Sequence, residues 1–185
     1  ADGDTSTAVV TLNVAAVNDA PVGGDAGNPD WDAGAGRYGV TTPEDTPRTG
    51  VIDARDADGD TLGYTLDQGP AHGTLALDAQ TGEWVYTPDR DYVGPDAFTV
   101  LVDDGHGGQT TVRVDVTVTQ VNDAPVGGDV GNPDWDAGAG RYGVTTPEDT
   151  PRTGVIDARD ADGDTLGYTL DQGRSEEHTS ELQSR

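Results

Sequence analysis

Three carboxylates stand at alternate positions in one acidic loop of the sequence, at Asp56, Asp58 and Asp60. The loop runs from residue 53 to residue 62 and contains an Asp-Gly pair, which favours a tight turn. Because like charges this close repel each other, the spacing predicts a cation among the three side chains. Metal binding is therefore the chemistry that this loop indicates.

The acidic loop belongs to a long internal repeat. Residues 17–69 match residues 121–173 with a single difference, Ala26 against Val130, so the repeat period is 104 residues. Repetition at domain size predicts a tandem array of similar domains.

Further oxygen-bearing side chains recur around the loop, in a junction Asn-Asp pair, a Pro-Glu-Asp turn and an Asp-Asp pair before a Gly-rich turn. A hard cation with about six to eight oxygen ligands in flexible geometry is Ca²⁺ rather than Mg²⁺, and zinc would require His or Cys ligands. The predicted calcium ligands are Asn18, Asp19, Glu44, Asp56, Asp58, Asp60, Asp103, Asn122, Asp123, Glu148, Asp160, Asp162 and Asp164.

The loop does not follow the helix-loop-helix calcium pattern. Counted from Asp56, the sixth position is Thr61, where that pattern requires Gly, and the twelfth is Asp67, where it requires Glu. No helical periodicity flanks the loop, so strands must position it.

Short segments with alternating apolar residues predict these strands, and turn signals separate them. Leu62, Tyr64 and Leu66 are expected to point inward. Six or seven short strands in about 100 residues are typical of an all-β fold, an immunoglobulin-like antiparallel β-sandwich. The predicted strands are 8–14, 49–52, 62–66, 74–77, 83–87, 97–102 and 110–118.

Residues 23–39 are rich in Gly, Asp and Pro, and are predicted to form a long loop. Trp31 either pins this loop to the sandwich or contacts a ligand together with Tyr38.

The composition argues against some classes of binding partner. The net charge is -25, with 35 acidic residues against 10 arginines and no lysine, which argues against nucleic acid and anionic membranes. The absence of Cys excludes disulfides and thiolate sites. The sequence contains no run of 18 apolar residues, so no membrane span is predicted.

Neither His72 nor His106 has a nucleophile placed beside it, so no enzyme is predicted. Adaptation to high salt is an alternative explanation of an acidic, lysine-free surface, and it is compatible with a tandem array.

Six motifs in a fixed order resemble the cadherin-like tandem repeats of giant bacterial surface adhesins of the RTX type. They are Val-Asn-Asp-Ala-Pro, Pro-Glu-Asp-Thr-Pro, Asp-Ala-Asp-Gly-Asp-Thr-Leu, Pro-Ala-His-Gly-Thr-Leu, Tyr-Thr-Pro-Asp and Asp-Asp-Gly-His-Gly-Gly. The resemblance implies secretion by a type I route to the bacterial cell surface, and a role in adhesion and biofilm formation.

The resemblance also implies calcium between consecutive repeats, which would be partners of each other along the chain. One junction would combine Asn18, Asp19, Asp56, Asp58 and Asp103. The next junction would combine Glu44, Asn122, Asp123, Asp160 and Asp162. Two alternatives stay open: modules that bind a glycan or protein, and accessory repeats of a large secreted enzyme.

The expected organisation has four parts. Residues 1–20 are predicted to close a preceding repeat, 21–124 to form one complete repeat, and 125–173 to form a truncated, poorly packed copy. Residues 174–184 resemble the translation of a common sequencing adapter, so 174–185 are predicted to be a non-biological tail.

Overall fold

A computed structural model of the chain describes residues 3, 5–128 and 132–169. The chain divides into two compact units, Ala1–Val121 and Asn122–Arg185. Every regular element in the described ranges is a β-strand, and no helix there has the length and apolarity to cross a membrane. The predicted non-biological tail lies outside the described residues.

The first unit contains ten strands and the second contains four short ones. In the first unit they are β1 (Val22–Gly23), β2 (Trp31–Asp32), β3 (Arg37–Pro43), β4 (Arg48–Val51), β5 (Ala54–Arg55), β6 (Gly63–Gln68), β7 (Gly73–Leu77), β8 (Glu83–Pro88), β9 (Gly94–Asp103) and β10 (Gln109–Thr119). In the second they are β11 (Val126–Gly127), β12 (Trp135–Asp136), β13 (Arg141–Tyr142) and β14 (Ala158–Arg159).

The first unit is a two-sheet sandwich, as the sequence predicts. A five-stranded sheet in the order β2-β3-β10-β9-β6 faces a three-stranded sheet in the order β4-β8-β7. The small β1-β5 pair lies beside them. The β3-β10 pair is parallel, with Tyr38 opposite Val114, whereas the other pairs are antiparallel.

The core lies between the two sheets and follows the alternation of the strands. Val112, Val114, Val116 and Val118 of β10 point inward and are at most 2% exposed. On the facing sheet, Trp84 of β8 meets Phe98 of β9 edge-on, with ring centroids 5.2 Å apart. Period-2 patterning therefore fixed which face of each long strand is buried.

Six of the predicted strands form, namely those that match β4, β6, β7, β8, β9 and β10. The prediction for residues 8–14 is wrong: they form no strand, and Val9 and Val14 are 92% and 90% exposed. A strand needs a neighbour for its backbone hydrogen bonds, and no described strand lies beside this segment. Leu66 is 40% exposed, more than predicted for an inward residue, although it pairs with the buried Val100 in the same register that places Tyr64 opposite Val102.

The second unit repeats the sequence of the first without repeating its packing. Ile156 is 61% exposed and Tyr168 is 60% exposed, whereas their counterparts Ile52 and Tyr64 are 1% and 8% exposed. The residues that form β8, β9 and β10 of the first unit lie outside residues 17–69, the stretch that the second unit repeats. The expected poor packing is confirmed for these side chains.

The segment predicted as a long loop, residues 23–39, is ordered by its own contacts. Trp31 lies against Tyr38, with ring centroids 4.9 Å apart, and its indole covers Gly24, where a Cβ would come within 2.0 Å of the ring. Gly24 also has a φ of 90°, which favours glycine. Tyr38 is only 1% exposed. These contacts support the pinning role of Trp31, and contact of Tyr38 with a ligand stays a prediction.

Candidate metal site

The acidic loop begins at Asp53, whose backbone amide is hydrogen-bonded to the hydroxyl of Tyr38. The amide of Asp53 donates to the Tyr38 hydroxyl at 3.0 Å, and burial raises the pKa of that hydroxyl to about 12. The side chain of Asp53 accepts from Nδ2 of Asn28 at 2.7 Å, and its carbonyl accepts from the amide of Gly24 at 2.6 Å. The Gly-rich segment 23–39 therefore holds Asp53 in place, at the start of the loop that carries the three carboxylates.

Within the loop, the three carboxylates converge as the sequence predicts. Oxygens of Asp56, Asp58 and Asp60 lie within 4.8 Å of one another. Oδ1 of Asp56 accepts the amides of Asp58 at 2.9 Å and Asp60 at 3.3 Å, which closes the turn at Gly59. Oδ2 of Asp56 is buried and has no hydrogen-bond partner among the described residues. A buried carboxylate oxygen without a donor is costly, so it is the strongest indication of a cation here.

The segment before Pro21 lies against this loop. The amide of Asp19 donates to Oδ2 of Asp58 at 2.8 Å, and Nδ2 of Asn18 donates to Oδ2 of Asp104 at 2.8 Å. The backbone of Asp19 thus lies at the acidic loop and Asn18 lies at Asp104, and calcium binding by the first predicted junction set stays a prediction.

Asp104 is the residue of the Asp-Asp pair that contacts the junction residue Asn18. Asp104 is 2% exposed, and its Oδ1 accepts the amides of His106 at 2.7 Å and Gly108 at 2.9 Å. The hydrogen bond from Asn18, followed by those from the two amides, holds the pKa of Asp104 below its usual value despite burial. The carboxylate of Asp103 accepts from the Gly105 amide and the Gln109 side chain, and its place in the junction set stays a prediction.

Strand alternation could have distinguished the two residues. Phe98, Val100 and Val102 point inward along β9, and Asp104 continues that face one step beyond the strand. Asp103 therefore belongs to the opposite face.

His106 also reaches the loop, and sequence reasoning missed it. Its Nδ1 lies 3.2 Å from Oδ2 of Asp60 and 3.1 Å from the carbonyl oxygen of Asp104. The Gly-rich turn that carries it gave no sign of this approach.

The second unit reproduces the loop. Oxygens of Asp160, Asp162 and Asp164 lie within 4.8 Å of one another, and the Asp162 amide donates to Oδ1 of Asp160 at 3.1 Å. The amide of Asp123 donates to Oδ2 of Asp162 at 2.6 Å, which matches the Asp19–Asp58 bond. The local sequence is thus sufficient to form the acidic loop and its bond to the junction.

A model of the bacterial Ig domain matches residues 18–117, more than half of the chain. The chain belongs to the bacterial Ig domain family. The match starts at the junction Asn18 and ends within β10, so it covers nearly all of the first unit's sandwich.

This chain spans less than half the length of each of the following curated relatives and solved structures. Sphingomyelinases of Mycobacterium bovis and Mycobacterium tuberculosis are each 37% identical over 58 residues, which is 29% of this chain and 12% of the sphingomyelinase. Among solved structures, human CDH23 EC21-23 is 24% identical, with a TM-score of 0.49, over 80% of this chain and 48% of that chain. Human Protocadherin-24 EC1-2 is 28% identical, with a TM-score of 0.42, over 50% and 46%.

The remaining predicted ligands are Glu44, Glu148 and Asn122. Glu44 is 5% exposed in the first unit, and its Oε1 accepts the amide of Val121 at 2.7 Å. Its counterpart Glu148 is exposed in the second unit. Nδ2 of Asn122 donates to the carbonyl of its neighbour Asp123 at 2.9 Å. Calcium binding by each of these residues stays a prediction.

The donor set of each acidic loop suits a hard cation. Every ligand group in the loop is a carboxylate oxygen, and hard cations such as Ca²⁺ prefer oxygen ligands. Soft ligands are excluded, because the sequence contains neither Cys nor Met.

Proposed function

We propose that this chain is a calcium-stiffened spacer of a secreted bacterial surface adhesin, built from Ig-type repeats. One observation carries the proposal: the carboxylates of Asp56, Asp58 and Asp60 converge around a buried oxygen of Asp56 that has no donor. The same convergence of three carboxylates occurs in the second copy at 160–164. Membership of the bacterial Ig domain family supports a structural repeat.

The chain's own residues prepare the site by bringing like charges together. Oδ1 of Asp56 holds the turn, and the Asp19 amide binds Asp58, so the carboxylates cannot separate without breaking these bonds. Calcium, when bound, neutralises the repulsion and ties the junction segment to the loop. Because only the folded loop offers this geometry, binding stabilises the fold by about 2.7 kcal/mol at 100 times the Kd.

Stiffening of neighbouring repeats follows from the same contacts. The junction residues Asn18 and Asp19 precede Pro21, which stiffens the link, and they bond to Asp104 and Asp58. At millimolar extracellular calcium the junction would be held, and at cytosolic calcium it would be loose. Such a difference suits a protein that is exported by a type I route and stiffens outside the cell.

Isothermal titration calorimetry of the full chain tests the metal site. We expect calcium to bind the wild type, and the variant with Asp56, Asp58 and Asp60 all changed to Asn to lose the sites of the first copy. A variant with Asp89→Asn, an exposed carboxylate outside the loop, should titrate like the wild type. Equal calcium binding by wild type and triple variant would refute the assignment.

A second candidate function rests on the sphingomyelinase match. A segment of that enzyme, 12% of its length, is similar to part of this chain, so the repeats could instead be appended to a large secreted enzyme. The chain would then act as an accessory module and not as the catalyst. A catalytic domain in the same reading frame of the full gene would favour this function over the adhesin.

A further inference from the structure

A cleft of about 1100 Å³ opens in the first unit along β4, and its lining also includes residues of β8 and β7. Asp25 and residues 27–30, from the Gly-rich segment 23–39, contribute to its lining from one side. Residues of β4, β7 and β8 contribute from the other side, among them Thr49, Val51, Ala76 and Val85. Ligand pockets for small molecules are typically about 300–1,000 Å³, so this cleft has room for a short polypeptide segment.

One backbone edge of β4 is not paired with any described strand. Among the described strands β4 pairs only with β8, so its other edge has no strand partner. Thr49, Gly50 and Val51, three of the four residues of β4, line the cleft. An open edge presents N–H and C=O groups that an extended peptide can pair with as an added strand.

The cleft is acidic. Carboxylates supply five of its lining residues, and no Lys, Arg or His is among them. Two of the five are held by arginines, Asp30 by Arg48 and Asp25 by Arg55. Glu83 and Asp78 are exposed, and neither forms an ion pair in the described structure. A positively charged occupant is therefore favoured over a neutral or anionic one.

Trp84 adds an observation that does not depend on charge. It lines the cleft, it is 3% exposed, and its indole N–H is buried without an acceptor in the described part of the chain. Buried N–H groups are seldom left without a partner. A peptide carbonyl that entered the cleft would supply the missing acceptor.

We propose that this cleft binds an extended, lysine- or arginine-bearing segment of another protein, which pairs with the free edge of β4. A second copy of this chain is disfavoured as the occupant, because its net charge of -25 would repel the acidic cleft. The three carboxylates Asp56, Asp58 and Asp60 do not line the cleft, but Asp53 at the start of the acidic loop does, so calcium is held constant in the test below.

Nuclear magnetic resonance of the ¹⁵N-labelled full chain tests the proposal, at constant calcium. The three tryptophans give three indole signals, assigned by triple-resonance experiments. A peptide of alternating Lys and Val is titrated into the protein. We expect the Trp84 signal to shift with saturation, while the Trp135 signal of the second copy stays in place as an internal control.

Matched probes separate strand pairing from attraction by charge alone. The same peptide with alternate amides N-methylated keeps its charge but cannot pair, and we expect at least tenfold weaker binding. Glu83→Gln should weaken binding by about threefold, whereas Asp89→Asn outside the cleft should not change it. Equal affinity for the two peptides, an equal effect of the two substitutions, or a Trp84 shift with a neutral oligosaccharide and none with the peptide would overturn the proposal.

Discussion

The amide of Asp19 donates a 2.8 Å hydrogen bond to Oδ2 of Asp58, across 39 residues of sequence. The second copy makes the same bond between Asp123 and Asp162, at 2.6 Å. The second copy lacks most of the sandwich core, as the exposure of Ile156 shows. The bond between junction and acidic loop therefore depends on local sequence more than on a completed sandwich.

Asp58→Ala should release the junction segment of the first copy only. Loss of a hydrogen bond to a charged group should speed hydrogen exchange at the Asp19 amide by about tenfold. The Asp123 amide of the second copy is the control in the same molecule, and its exchange should be unchanged. Unchanged exchange at Asp19 would show that the bond to Asp58 does not hold this segment.

Tyr86→Phe should shift the acid unfolding of the first unit. Asp96 accepts the Tyr86 hydroxyl at 3.0 Å and the amides of Ala71 and His72, both at 2.9 Å. Burial by itself would raise the pKa of Asp96, but these hydrogen bonds outweigh it and lower the pKa. Because the folded pKa lies below the unfolded value of about 3.9, the stabilisation is present above that pH and is lost as pH falls through the folded pKa.

Without the hydroxyl, the pKa of Asp96 should move back toward its unfolded value. We expect the free energy of unfolding near neutral pH to fall by about 1–2 kcal/mol, and acid unfolding to start at a higher pH. Circular dichroism against pH, for wild type and variant, measures both effects. An acid midpoint that stayed in place would contradict the role given to the hydroxyl.

Ile52→Ala and Ile156→Ala form a matched pair, because the two residues stand at the same place in the repeat. Ile52 is 1% exposed, so truncation should cost about 2–5 kcal/mol in the free energy of unfolding. Ile156 is 61% exposed, and its truncation should change stability by less than about 0.5 kcal/mol. Urea denaturation followed by tryptophan fluorescence compares them, and equal costs would mean that the second copy is packed like the first.

Gly50→Ala should destabilise the first unit through overpacking. A Cβ at Gly50 would come within 2.2 Å of the ring of Trp84, which is held between the two sheets. We expect a cost of about 1–3 kcal/mol in the free energy of unfolding. Gly154→Ala is the control, since a Cβ there meets nothing within 4 Å. Equal thermal midpoints for the two variants would contradict the close packing of Trp84 on β4.

The strands that the sequence predicts are those with clear alternation and turns at both ends. The sequence prediction missed the strand β3, Arg37–Pro43. This strand follows directly on a Gly-rich segment and contains Gly, Thr and a single Val, so its apolar alternation is weak. Its partner β10 lies about 75 residues further along the chain, and local sequence does not encode parallel pairing at that range. The prediction for residues 8–14 failed for the opposite reason: a good local pattern found no neighbouring strand.

The candidate site divides in the same way. The convergence of Asp56, Asp58 and Asp60 was predictable because it depends on a short turn. The contacts of Asn18 with Asp104 and of His106 with Asp60 depend on how β9 and the turn after it meet the loop. The alternation along β9 could have predicted that Asp104 faces inward. Nothing in the sequence predicted the contact of His106 with Asp60.

Thermal unfolding of the full chain with millimolar calcium and with excess chelator, together with small-angle X-ray scattering, tests the central claim most directly. The account predicts that calcium raises the unfolding midpoint and increases the maximum dimension of the particle. Both effects should be reduced in the variant with Asp56, Asp58 and Asp60 changed to Asn. An unfolding midpoint and maximum dimension that are the same with calcium and with chelator would contradict it.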